Sequence, residues 1–467
     1  MTYYFLGIGG IGMSALARYF NLLGHRVAGY DRTPSELTRQ LEQEGIAVHY
    51  VDDPRQIPAA VDLVVYTPAV PTDTSEYLFL QQKGIPMKKR SRVLGELTEG
   101  RRCVAVAGSH GKTTTSSLIA HLLMQRPQGC CAFLGGIAKN FDSNLVVKRD
   151  SEYVVVEADE YDRSFLQLHP FYSVVTATDP DHLDIYGTHE QMLKAFEQYA
   201  NQTNPEGHLF VKSGVGFSKA DLAAGEGERK PYGLHVEAPL AVSTYSMELS
   251  ASDFYASRIR AERGSLWFDL HTPQGVVRDL QLVHSCLYNV ENAVAASAVA
   301  LACGLTEAEL RQGLATFSGI RRRFDFHIED SRLVYIDDYA HHPQEIAATI
   351  ASVRYLYPGR KVVGVFQPHL YSRTADLYRE FAAALSALDE VVLLDIYPAR
   401  ELPLPGVTSE LIAQEIRGVP CRVCSREAMP QTVVSLHPEV VLTLGAGDID
   451  RLVPQLAKTL NETLSLS

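Results

Sequence analysis

The side chains with chemistry to offer fall into four clusters. Gly108-Ser-His-Gly-Lys-Thr-Thr-Thr115 sets a lysine and three hydroxyls directly after a glycine turn. Glu157-Ala-Asp-Glu-Tyr-Asp162 packs four carboxylates into six residues. Asp179-Pro-Asp-His-Leu-Asp184 places a histidine among acids, and Asp337-Asp-Tyr-Ala-His-His-Pro343 pairs two acids with two histidines. A glycine turn leading into Lys-Thr at a helix start is a phosphate cradle. Backbone N–H groups face the anion, Lys112 neutralises it, and a Thr hydroxyl can hold Mg²⁺. The loop is short, with only Ser109 and His110 between Gly108 and Gly111, where the usual pattern has four residues. The acid run is costly unless a hard cation such as Mg²⁺ sits nearby; a solvated acidic loop is the plain alternative. A lone histidine is usually structural. His182, which follows both a phosphate loop and a strand-end Glu157, is a candidate metal ligand.

Alternating strand and helix patterns position these clusters. Val104–Ala107 reads as a buried strand running into the loop, and Ser117–Met124 as the helix after it. Ser151–Glu157 and Tyr172–Thr178 are strands that deliver the acids and His182. Upstream, Gly7, Gly9 and Gly12 follow a short apolar run. They precede a helical pattern from Met13 to Leu23 with Gly24 as C-cap, and Asp31 ends the next strand about 20 residues on. This spacing is the dinucleotide fingerprint. A tight turn is the plain alternative, and any nucleoside diphosphate satisfies the same physics. Val61–Val70 brings Thr67 to the sheet edge where ligands bind in open α/β folds.

Polar links at Glu99–Arg102 and Phe317–Phe324 mark two boundaries. Residues 205–280 read as a strand-rich extension, with turns in Ala224–Arg229. Asn289 and Asn292 share one face of a helix over 290–303 closed by Gly304; they bracket a purine edge or merely cap the helix. Beyond Phe324, strands at 333–338, 361–366, 389–395 and 439–444 alternate with helices. The fold class is α/β in three domains: a Rossmann-like segment (1–99), a central mononucleotide-binding phosphate-loop segment (100–318) and a C-terminal Rossmann-like segment (319–467).

Composition narrows the function classes. With 467 residues, 46% hydrophobic and 21% charged, the chain is an ordinary multidomain globular protein. The formal charge of −12 argues against nucleic acid or an anionic membrane as the main partner. Without a basic leader or an apolar span of about 18 residues, the expected location is cytoplasmic. Seven scattered cysteines cannot form a complete internal disulfide set; Cys421-x-x-Cys424 reads as incidental and Cys130-Cys131 as core filler. An NAD-dependent oxidoreductase has no use for the phosphate loop. An ATPase switch or nucleotide-binding module has no use for the first glycine turn. A ligase that spends ATP on a nucleotide-linked substrate uses both.

The ordered set of motifs also resembles the Mur ligase family across essentially the whole chain. The stretches are Gly7–Ser14, Gly108–Thr115, Glu157–Phe165, Asp181–Asp184, Asn289–Ala293, Arg322–Phe324, Asp337–Pro343, Gln367–His369 with Ser372–Thr374, and Gly445–Asp448. The short Gly-x-x-Gly-Lys-Thr loop is that family's form. The resemblance implies peptidoglycan synthesis: ATP phosphorylates the lactyl carboxylate of UDP-N-acetylmuramate, and the amine of L-alanine attacks the acyl phosphate. It implies Gly108, Ser109, His110, Gly111, Lys112, Thr113, Thr114, Asn289, Asn292, Arg323 and Asp338 (or Asp337) around ATP, with the two asparagines on the adenine. Two Mg²⁺ would be held by Thr113, Glu157 and His182. Gly9, Gly10, Gly12, Asp31 and Thr67 would bind the UDP-sugar, and His342, His369 and Arg373 the amino-acid side. The catalytic set is Lys112, Glu157, His182, Arg323, Asp338 and His342. A monomer or homodimer is expected. Many relatives carry Thr where Ser109 stands, which keeps the hydroxyl. Lys194 does not match the spacing of the carbamylated lysine found in several members. The alternatives are a family member that attaches a murein tripeptide to the same nucleotide sugar, and a nucleotide-binding protein without catalysis.

Overall fold

In the computed structural model, residues 1–216, 232–237, 239–262, 264–399 and 401–466 are described. The turns expected in Ala224–Arg229 lie outside them. Among the described residues, three sheets carry the fold. The first is wholly parallel, in the order Ala47–His49, Arg26–Tyr30, Thr2–Leu6, Leu63–Tyr66, Met87–Lys89. Tyr4, Phe5 and Leu6 are fully buried, the pattern of a strand covered on both faces.

The second sheet has ten strands, and its inner part holds the phosphate loop. Arg102–Ala107 lies between Tyr172–Val175 and Tyr153–Glu157, both parallel to it. Cys131–Ala138 and Ser143–Val146 continue one side, and His208–Lys212 the other. The expected strand-rich extension consists of Ala241–Ser246, Phe254–Glu262, Ser265–Thr272 and Gly275–Val283. The third sheet runs Asp325–Glu329, Val334–Asp338, Val440–Leu444, Val362–Phe366, Glu390–Leu393, Cys421–Val423. All its pairings are parallel except that of the first edge strand.

The chain divides into two compact units: Met1–Arg258, Phe268–Leu280 and Glu291–Phe317; and Ile259–Trp267, Gln281–Val290 and Ser318–Ser467. Within the first, one continuous core links the first and second sheets, from Tyr3 and Phe5 through Phe133 and Phe165 to Leu209 and Leu234. Buried Arg18, on helix Ile11–Leu22, adds a polar tie. It donates to Glu44 at 2.9 Å and also to Asn144, whose side-chain amide donates to Ser14 Oγ at 2.9 Å. A buried guanidinium is tolerated only when paired in this way. The second unit has its own core around Tyr335, Val363, Val392, Val441 and Leu456. All seven cysteines are free, and Cys130 and Cys131 are buried. Among the described residues no helix is long and apolar enough to cross a membrane.

Candidate active site

Three parallel strands, Arg102–Ala107, Tyr153–Glu157 and Tyr172–Val175, end at one edge of the central sheet. The phosphate loop leaves the middle one. Gly108 has φ of 138°, and a Cβ there would lie 2.7 Å from the Ala177 nitrogen, so only glycine passes between the strand ends. Ser109 N–H donates to the Ala177 carbonyl at 3.0 Å, and Ser109 Oγ accepts from Asp179 N–H at 3.0 Å. Thr176 Oγ1 donates to the carbonyls of Ala107 and His110. Gly111, left-handed at φ 83°, is the N-cap of helix Lys112–Leu123 and gives it no side-chain cap. The helix start is thereby open to an anion. Thr113 and Thr114 are buried in its first turn.

Lys112 Nζ donates to the Gly108 carbonyl at 2.6 Å and to Glu160 Oε1 at 2.7 Å. Burial pulls the Lys112 pKa down, but the charges of Glu160, Glu157 and Asp159 outweigh it, so the net shift is upward and the ammonium is kept. His182 Nε2 lies 3.8 Å from the same Glu160 oxygen and 3.6 Å from Asp181 Oδ2. His182 sits at φ 51° and donates its N–H to Asp181 Oδ1 at 2.8 Å; the ring meets Tyr161 edge-on at 5.2 Å. Thus Lys112, Glu160 and His182 converge. Glu157 ends its strand beside Gly135. Glu157 Oε2 and Glu160 Oε2 are buried with no hydrogen-bond partner among the described residues. Such bare buried oxygens call for a cation. No group of three His, Cys, Asp or Glu side chains that could hold a metal ion by themselves is present among the described residues. Asn292 Oδ1 accepts from Thr115 Oγ1 at 3.2 Å and would meet a Cβ on Gly111 at 2.7 Å. Asn292 therefore packs against the loop.

The first glycine turn is built by the neighbouring strand. Gly7 (φ 85°) and Ile8 donate their N–H groups to the Tyr30 carbonyl at 2.8 and 3.0 Å, and Gly9 N–H donates to Asp31 Oδ2 at 2.8 Å. Gly10 caps helix Ile11–Leu22 without a side-chain oxygen, leaving that end open as well. The Thr67 methyl packs where a Gly7 side chain would stand, and a Cβ on Gly12 would lie 2.7 Å from Arg90 Nη1. Arg90 in turn donates to Asp159 Oδ2 at 3.0 Å. Sequence reasoning passed over Arg90 and Glu160. Arg90 sits in a basic run with no motif around it, and Glu160 is one of four acids with nothing to rank them.

In the second unit, strand Val334–Asp338 ends in two buried acids. Asp338 accepts from the N–H groups of Phe324 and Ala340, both at 2.7 Å, and burial pushes its pKa up to about 6. Asp337 accepts from Thr443 Oγ1 at 2.6 Å, and burial pushes it up to about 7. The Arg323 guanidinium lies 5.9 Å from the Tyr339 ring centre. His342 N–H donates to Glu345 Oε2 at 3.1 Å, at the start of helix Pro343–Leu356. His369 stacks on Tyr397 at 5.7 Å and lies 6.3 Å from His341. Arg373, on helix Tyr371–Leu385, keeps a buried Nη1 with no hydrogen-bond partner among the described residues. Asn289 is buried at the first residue of helix Asn289–Ala302.

An ATP-type phosphate loop with strand-end acids, joined in one chain to a second glycine turn, defines a nucleotide-dependent α/β enzyme. Three family models match the chain: "Mur ligase family, catalytic domain" at residues 2–102, "Mur ligase middle domain" at 106–300 and "Mur ligase, glutamate ligase domain" at 322–447. The chain belongs to the Mur ligase family. It is 49% identical to a UDP-N-acetylmuramate–L-alanine ligase of Phocaeicola vulgatus, over 98% of each chain. The crystal structure of a UDP-N-acetylmuramate–alanine ligase from Thermotoga maritima matches with a TM-score of 0.82 at 26% identity, covering 100% of both chains. A murein peptide ligase from Psychrobacter arcticus shares the fold at a TM-score of 0.67 and 22% identity, over 98% of each.

Proposed function

We propose that this chain is an ATP-dependent amide ligase that joins L-alanine to the lactyl carboxylate of UDP-N-acetylmuramate in peptidoglycan synthesis. The observation that carries the reading is the end-to-end 49% identity to a ligase of that name. Lys112 would sit on the β- and γ-phosphates, and the open start of its helix would hold the anion. Phosphoryl transfer of this kind needs chiefly positioning and charge neutralisation. Thr113, Glu157 and His182 would hold Mg²⁺, which supplies positive charge at the phosphoryl oxygens. The carboxylate oxygen takes the γ-phosphoryl group and ADP leaves. The L-alanine amine then attacks the acyl carbon, and phosphate leaves as the amide forms.

Gly9, Gly10, Gly12, Asp31 and Thr67 are proposed for the UDP-sugar. Asn289, Asn292, Arg323 and Asp338 are proposed for ATP, and His342, His369 and Arg373 for the amino-acid side. Domain limits of 1–99, 100–318 and 319–467, a cytoplasmic location and a monomer or homodimer belong to the same reading. The test is phosphate release with UDP-N-acetylmuramate, ATP and Mg²⁺, comparing L-alanine, glycine, L-serine and the murein tripeptide. L-alanine is expected to give the highest kcat/KM; turnover with tripeptide alone would move the chain to the tripeptide-adding members.

A further inference from the structure

The Lys112–Glu160 pair poses a problem that the proposed reaction does not solve. Glu160 follows the strand-end Glu157 and opens the turn Tyr161–Gln167. Its side chain is 1% exposed. Tyr186 donates its hydroxyl to the Glu160 carbonyl at 2.6 Å, which fixes the backbone under the side chain. One carboxylate oxygen takes the Lys112 ammonium at 2.7 Å; the other is buried and has no hydrogen-bond partner among the described residues. The cation that a phosphate loop offers to its nucleotide is therefore already bound, at two protein oxygens.

A triphosphate must take that ammonium away. Glu160 then becomes a buried carboxylate stripped of its counter-ion, beside Glu157 and Asp159, whose negative charge Lys112 also feels. Removing one partner from a buried ion pair is among the costliest single changes in a protein. Free ATP brings four negative charges and nothing to offset the loss. ATP that arrives with a divalent cation brings the replacement charge with it.

We propose that Glu160 is a positioning residue that acts through Lys112, making nucleotide binding conditional on a divalent cation. It holds the ammonium in the nucleotide-free site and penalises metal-free ATP. This rests on the reading of the phosphate loop as the ATP site, but not on the identity of the acceptor amine.

The test is equilibrium binding of ATP to the full chain by calorimetry, in Mg²⁺ and in EDTA, for wild type and Glu160→Gln. Wild type should bind far more weakly in EDTA. Glu160→Gln, which keeps the shape and removes the charge, should narrow the ratio of the two dissociation constants by about tenfold, the scale of one charge-assisted hydrogen bond. The gain should come from tighter binding of metal-free ATP. UDP-N-acetylmuramate binding, measured alongside, should stay at the wild-type value. An unchanged Mg²⁺/EDTA ratio, or equal weakening in both buffers, overturns the proposal. If Glu160→Gln does not fold, Glu160→Asp, which withdraws the carboxylate from Lys112 Nζ, carries the same measurement under the same criterion. Failure of wild type to bind ATP in Mg²⁺ overturns the ATP-site reading itself, and this proposal with it. Absence of wild-type turnover with L-alanine, while the ratio behaves as stated, would count only against the assigned substrate.

Discussion

Gly135→Ala offers a sharp test of Glu157, because it moves one carboxylate without touching its charge. Gly135 lies within strand Cys131–Ala138, and a methyl group there would land on Cδ and both oxygens of Glu157. Its φ lies outside the left-handed region, so alanine adds no backbone strain and lowers the entropy of the unfolded chain by a few tenths to about 1 kcal/mol in the protein's favour. Ladder pairing with Tyr153–Glu157 ends at Phe133, and that with Ser143–Val146 is irregular between Phe133 and Ala138. What the methyl meets is the far end of the Glu157 side chain, so the carboxylate is the group that yields. Ordinary contact for a Cβ begins at 3.4 Å, which requires the carboxylate to shift by about 1 Å. Misplacement on that scale is worth about 100-fold in rate, or about 2.7 kcal/mol on the barrier. The assay is phosphate release titrated with Mg²⁺. Gly135→Ala should lose about 100-fold in kcat/KM and need more Mg²⁺ for half-maximal rate. UDP-N-acetylmuramate affinity and the melting temperature should hold. Wild-type kinetics across the Mg²⁺ titration would refute the assignment of Glu157 to the metal.

Two further predictions rest on the buried charges. Lys112→Ala should abolish turnover while UDP-N-acetylmuramate still binds. It also leaves Glu160 unpaired, so its melting temperature should fall, and adding Glu160→Gln should restore the melting temperature but not the turnover. Loss of UDP-sugar affinity in Lys112→Ala would show the two nucleotide sites to be exchanged. Glu76 is wholly buried, accepts from Tyr4 Oη and from Asp53 N–H, and lies 3.5 Å from His49 Nε2. Burial raises its pKa from 4.5 to about 7. Across that interval the folded state binds more protons than the unfolded, so this group's contribution to stability falls as pH rises and levels off above about 7. In urea unfolding at pH 5 and pH 8, Glu76→Gln should remove a pH-dependent loss on the order of 3 kcal/mol; the same slope in variant and wild type would count against the buried carboxyl as its source.

The glycine spacing made both turns legible, because a left-handed backbone and close approaches leave few residue choices. Gly108 at φ 138° and Gly111 at φ 83° are positions whose backbone demands could be read from residue type. The helix after the first turn was equally plain: the expected Met13–Leu23 is Ile11–Leu22, with Gly24 left-handed just beyond. The ranking of the acids was hidden. Glu157, Asp159, Glu160 and Asp162 look alike in the chain, yet Glu160 is turned inward on Lys112 while Asp162 pairs with Lys89 at the surface. Which way each points depends on the turn after the strand, where Asp162 and Arg163 take positive φ. Arg90 and Gly135 were hidden for a related reason. Gly135 meets Glu157 across neighbouring strands of the second sheet, and Arg90 meets Gly12 between two helices of the first segment. Approaches between residues so far apart in sequence leave no local pattern.

On the proposed route the lactyl carboxylate is activated by ATP and captured by L-alanine. The direct measurement uses UDP-N-acetylmuramate labelled with ¹⁸O in that carboxylate, with ATP, Mg²⁺ and L-alanine, and reads both products by mass spectrometry. The L-alanyl amide is expected together with inorganic phosphate that carries one ¹⁸O from the carboxylate. Unlabelled phosphate, or amide formed with the murein tripeptide and not with L-alanine, would contradict this route.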